Sequence, residues 1–141
     1  MNNTELTMKK YFLFLLVGIF LLISHQSFAG GSIPNLVGKW HGKATMCGKL
    51  HGFESLQNIT FIIVEQKGRF VKGRKEWNAR GKEYAEGFSG LISMDNKQLY
   101  IAEYEGGICI GEIISREQII LYYLKDGRGA SVAIYELMRL K

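Results

Sequence analysis

The sequence predicts an all-β fold, an eight-stranded antiparallel up-and-down β-barrel that follows a cleaved signal peptide. Three observations carry this expectation: no stretch after residue 29 has the periodicity of a normal helix, apolar residues alternate there with polar ones, and the breaks between runs hold Gly and Asn/Asp turn chemistry. The 17 glycines among 141 residues agree, because glycine costs entropy inside helices and is at home in tight turns. Composition removes other classes. With 47% hydrophobic residues, one proline and two cysteines, the chain is too apolar for disorder, too proline-poor for a linker and too cysteine-poor for a disulfide-built miniprotein.

The first element is the N-terminal segment. Lys9 and Lys10 precede an apolar run from Tyr11 to Ile23, and Ser27 and Ala29 place small residues at the −3 and −1 positions of a cleavage site. That is the layout of a secretory signal over residues 1–29. Polar Ser24, His25 and Gln26 stop the run short of the about 20 apolar residues that a spanning helix needs. The expected folded domain is 30–141, exported, and periplasmic or secreted if the source is bacterial, with membrane contact only during export. Its 16 basic and 12 acidic side chains are interspersed, as in Arg74-Lys75-Glu76, which describes a solvated surface and no nucleic-acid footprint.

Eight strands are expected in chain order, at about 36–46, 56–66, 69–78, 84–94, 98–105, 108–115, 118–125 and 130–140. In the first, Leu36, Gly38, Trp40, Gly42, Ala44 and Met46 share one face, while Lys39, His41, Lys43 and Thr45 share the other. Glycine on the apolar face lets that strand bend and leaves room for the indole. The later strands are separated by Lys67-Gly68, Arg80-Gly81, Asp95-Asn96-Lys97, Gly106-Gly107, Arg116-Glu117 and Asp126-Gly127-Arg128-Gly129. Such connections are too short for a parallel crossover, so neighbours in sequence run antiparallel. The longest gap, Cys47 to Ser55, reads as a lid or mouth loop. Even spacing without a long return connection favours a closed barrel over a Greek key.

Gly38-Lys39-Trp40 at the start of the first strand, with Tyr135, Leu137 and Arg139 on one face of the last, resembles the calycin pattern of lipocalins, fatty-acid-binding proteins and avidins. The resemblance implies that Trp40 packs across the barrel floor against Arg139, a structural pair with Gly38 beside it. It names no ligand. His41 and Gly42 follow the tryptophan where avidins carry Tyr and Asn, the lipocalin T-D-Y motif is absent, and no segment supplies the helical lid of fatty-acid-binding proteins.

Export opens two readings of Cys47 and Cys109. They can form a disulfide closing 63 residues, worth about 4 kcal/mol in a chain-entropy account, or remain buried thiols. No ligand-pair spacing points to a metal, and no fingerprint points to any other cofactor. Catalytic chemistry is equally unsupported. No G-x-S-x-G surrounds Ser89, His41 and His51 read as exposed or loop residues, and Glu103, Glu105 and Glu112 near one hairpin make only a glycosidase-like pair conceivable.

The aromatic residues carry the remaining signal. Trp77, Tyr104 and Tyr122 are the expected ligand-binding residues, with Trp77 and Tyr104 on inward faces. The function expected is therefore non-catalytic binding of a small apolar or amphipathic ligand in or at the mouth of the barrel. A protein-interaction module, such as an inhibitor of an exported hydrolase, is the alternative, and a small barrel isomerase or cyclase is the lesser one.

Overall fold

The computed structural model describes residues 31–50 and 52–141, so the signal-peptide reading of 1–29 and the loop role of His51 lie outside the described residues. The strands are β1 (Gly38–Gly48), β2 (Gly52–Lys67), β3 (Phe70–Ala79), β4 (Lys82–Ile92), β5 (Gln98–Glu103), β6 (Ile108–Ile113), β7 (Gln118–Lys125) and β8 (Ser131–Arg139). Each pairs antiparallel with the next, and β8 returns to pair with β1, closing the barrel in sequence order. Closure removes both sheet edges.

Local chemistry sets the hairpins. Arg80 and Gly81, at φ 53° and 74°, are both left-handed in the two-residue turn between paired Ala79 and Lys82, the geometry that matches strand twist. The expected 47–55 loop is not a loop. β1 continues to Gly48, β2 begins at Gly52, and Cys47, Thr45 and Ala44 pair with Phe53, Ser55 and Leu56. Backbone pairing needs no alternation of side chains, so the irregular composition there hid a hairpin.

Side-chain alternation fills the interior. Trp40, Phe61, Phe88, Leu99, Leu121 and Leu137 are all buried, and Phe61 meets Phe88 and Tyr135 at ring centroid distances of 5.7 and 5.4 Å. Each such side chain contributes about 1.5–3 kcal/mol by leaving water. The register of β1 against β2 shifts between Gly42 and Ala44, which bends the strand. A Cβ on Gly42 would stand 1.8 Å from the Glu136 carbonyl oxygen, so only glycine admits the last strand so close to the first.

One end of the barrel is closed by residues 31–37. Leu36 is buried, its N–H donates to Gln66 Oε1 at 2.8 Å, and Trp40 Nε1 donates to its carbonyl at 2.9 Å. Trp40 and Arg139 are register partners, with the guanidinium 4.6 Å from the ring centroid and donating to the Asn35 carbonyl at 2.6 Å. Gly38 has φ 143°, a backbone conformation that side-chain-bearing residues rarely adopt.

Candidate functional site

The other end is open. Its hairpins, including the 3₁₀ turn at Gly127–Gly129, surround a cavity of about 310 Å³ whose apolar wall is formed by Met46, Leu56, Ile59, Trp77 and Tyr135. A depression of about 430 Å³ lies against Asn58, Thr60, Glu76 and the Trp77–Tyr84 stack, but it opens on the outer wall and none of the buried charged residues lines it.

The floor of the mouth is ionic. Lys75 Nζ lies 2.6 Å from Glu86 Oε1 and 2.5 Å from Glu103 Oε2, with side-chain exposures of 4%, 6% and 0% for the three residues. The same ammonium sits 4.8 Å from the ring centroid of Trp77, 4.9 Å from Tyr123 and 5.8 Å from Tyr135. Period-two geometry explains the convergence. Val71, Gly73, Lys75 and Trp77 share the inward face of β3, Glu86 and Phe88 that of β4, and Leu99, Ile101 and Glu103 that of β5. Behind them the Cys109 thiol donates to Glu103 Oε1 at 3.5 Å.

Burial without full charge balance shifts these groups. Glu103 is pushed up to about 7, first by desolvation and then by the hydrogen-bonded Glu86 carboxyl, against the pull of Lys75. Burial also acts to raise Glu86, but hydrogen bonds with Glu103 and Lys75 outweigh it and hold it below the ordinary carboxylate value. Desolvation, reinforced by the Glu103 charge, pushes the Cys109 thiol and the Tyr123 and Tyr135 phenols up. At neutral pH the site is thus an ammonium with one firmly ionised carboxylate and a second that shares a proton.

Of the expected ligand residues, Trp77 lines the mouth. Tyr104 does not: it is 66% exposed, lies over Gly87 on the outer wall and is hydrogen-bonded to Ser89 at 2.9 Å. Tyr122 also faces outward, beside Ile134 and Val132, because the inward residues of β7 are Ile119, Leu121 and Tyr123. The expected disulfide is likewise absent. Cys47 and Cys109 are free thiols, Cys109 buried in the interior against Glu103 and Cys47 beside Phe53 and Val132 on a strand that does not adjoin β6. Glu105 is on the mouth rim, while Glu112 is exposed. Sequence reasoning missed Lys75, Glu86, Glu103, Tyr123 and Tyr135 as a set, and parity within their strands was the signal that could have found them. Among the described residues, no three of His, Cys, Asp and Glu are grouped to hold a metal ion.

No family model matches the chain, and no curated protein is similar to it. Among solved structures, a redesigned β-barrel superposes with a TM-score of 0.58 at 10% identity, covering 79% of this chain and 100% of that one. At that identity the likeness shows the fold alone.

Proposed function

We propose that the chain is an exported, non-catalytic binding protein of calycin-like type, holding a small, partly apolar ligand in the mouth of its barrel. The observation that carries this is the asymmetry of the two ends: one is plugged by its own backbone and Trp40, the other opens over aromatic walls and an ionic floor. The interior between them is filled by side chains such as Phe61 and Phe88, which supports a ligand position at the mouth over one inside the barrel. Stacking of Arg139 on Trp40 supports the calycin-like reading, and the composition of residues 1–29 supports export. Binding suits the ionic floor better than turnover, because Glu103 has no exposed side-chain surface with which to touch a substrate and Lys75 is held between two carboxylates. Thermal-shift screening of a panel of small amphipathic compounds tests the reading. At least one should raise the Tm of the native chain and fail to raise that of Trp77→Ala; a panel that moves neither overturns it.

A second reading, an interaction module, is favoured by the outer wall that runs from β5 through β8 onto β1 and β2. Tyr100, Ile110, Tyr122 and Ile134 are successive register partners, and Ile108, Leu124, Val132, Cys47 and Phe53 form the row beside them. Excluding Cys47, their exposures of 37–89% give an area on the order of the 800 Å² per partner found in stable interfaces. A second copy of the chain fits such an uncharged face. Sedimentation velocity should then show a dimer that Phe53→Ser dissociates, and a monomer at all concentrations refutes this reading.

A further inference from the structure

Resting on the mouth-binding reading, we propose that the ligand is a small organic monocation, a primary amine with an apolar body, whose ammonium pairs with the Glu86 carboxylate.

The charge count of the mouth carries the argument. Its lining holds two ammonium groups, Lys75 and Lys125, and two carboxylates, Glu86 and Glu105, with the Glu103 carboxylate directly behind Lys75. Three acids face two cations, so the cluster lacks one positive charge. Lys125 is at the rim, where its Nζ donates to the Glu105 carbonyl at 3.4 Å and its charge acts on Glu86 from a distance without an ion-pair contact. The only ammonium in direct contact with Glu86 and Glu103 among the described residues is Lys75, and the two carboxyls stand within hydrogen-bonding reach of each other. Two carboxylates so close cannot both ionise on one ammonium without a further cation or a proton. In the unliganded mouth a proton fills that role, carried by Glu103, whose other neighbours are the neutral Cys109, Tyr123 and Tyr135.

Access decides where a replacement cation would sit. Glu86 lines the cavity, whereas Glu103 lies beneath it, so an arriving ammonium meets Glu86 while Lys75 stays with Glu103. Glu103 can then ionise, and its proton leaves to solvent. The walls suit the same charge, since Lys75 Nζ already shows the faces of Trp77 and Tyr123 turned toward a cation at 4.8 and 4.9 Å. Met46, Leu56 and Ile59 would cover the apolar body. An anionic ligand of the same size meets the Glu86 and Glu105 carboxylates and is repelled.

Isothermal titration of the native chain with phenethylamine, 2-phenylethanol and 3-phenylpropionate, at pH 6 and pH 8 and in two buffers of different ionisation enthalpy, tests this. The amine should bind at least tenfold more tightly than the alcohol, release a fraction of a proton near pH 7, and gain about tenfold between the two pH values as Glu103 ionises. Glu86→Gln should erase the preference for the amine, and Glu103→Gln the pH dependence. Equal binding of amine and alcohol, or preference for the carboxylate, overturns the cation class and leaves the binding reading standing. If none of the three binds, the proposal fails, and the binding reading fails with it only when the thermal-shift panel is also silent.

Discussion

The two ends of this barrel each place a cation over aromatic rings and differ in what accepts its hydrogen bonds. At the floor, Arg139 stacks on Trp40 and gives a hydrogen bond to the Asn35 backbone, a fixed and uncharged acceptor. At the mouth, Lys75 faces three aromatic rings and two carboxylates beneath open space. Backbone acceptors hold a guanidinium in place and leave nothing to titrate, which suits a plug. Carboxylates in excess of their cation leave a charge to be filled, which suits a binding site.

Four measurements break or sharpen this contrast. The largest expected effect is at the floor: Trp40→Ala should cost about 3–5 kcal/mol of unfolding free energy in denaturant titrations, since a buried indole and its plug are lost together. Trp77→Ala, half at the mouth, should cost clearly less, and equal losses would erase the distinction between the ends.

Next comes Lys75→Met, which leaves two buried carboxylates without a cation. Breaking a buried pair this way costs about 3–5 kcal/mol, but uptake of a proton by Glu103 offsets part of it. The loss should therefore shrink as pH falls from 8 to 5. A loss independent of pH would mean that Glu103 carries no proton.

The third effect is the pH dependence of the native chain. Glu103 titrates near 7 in the folded state and at about 4.5 unfolded, so between those values the unfolded chain has released a proton that the folded one still holds. Stability contributed by this group is full below pH 4.5 and declines by about 3 kcal/mol as pH rises to 7, since one pKa unit is about 1.4 kcal/mol. Glu86, held below its ordinary value, acts in the opposite sense and only below pH 4.5. Glu103→Gln should flatten the decline between pH 4.5 and 7; a slope that survives the substitution assigns it elsewhere. The smallest effects belong to the outer wall. Tyr104→Phe and Tyr122→Phe should change stability by about 0.5 kcal/mol or less and leave mouth binding untouched.

Much of the fold was legible in the chain. The pairing of Trp40 with Arg139 was implied by the resemblance to the calycin pattern, and closure of an eight-strand series, which brings the first and last strands together, is the physical reason it can form. The mouth was less legible. Arg74-Lys75-Glu76 reads as a solvated charge cluster, and two of its three members are indeed on the outside, ion-paired to each other at 2.5 Å. The middle one is turned inward by alternation. Tyr104 and Tyr122 face the outer wall and not the mouth for the same reason: each follows or precedes its inward neighbour, Glu103 or Tyr123, by one position, and one position is a change of face.

The sequence by itself determined how many strands the chain makes, that they close, and every turn but the one between β1 and β2, because turn residues and a period of two act over a few neighbouring positions. Only the tertiary structure decided what the mouth contains. Lys75, Glu86 and Glu103 come from three strands and meet across 28 residues of chain, through hairpin register and barrel curvature. Their mutual distances, and the upward push on the Glu103 carboxyl that follows from burial beside Glu86, arise only when the wall is bent shut.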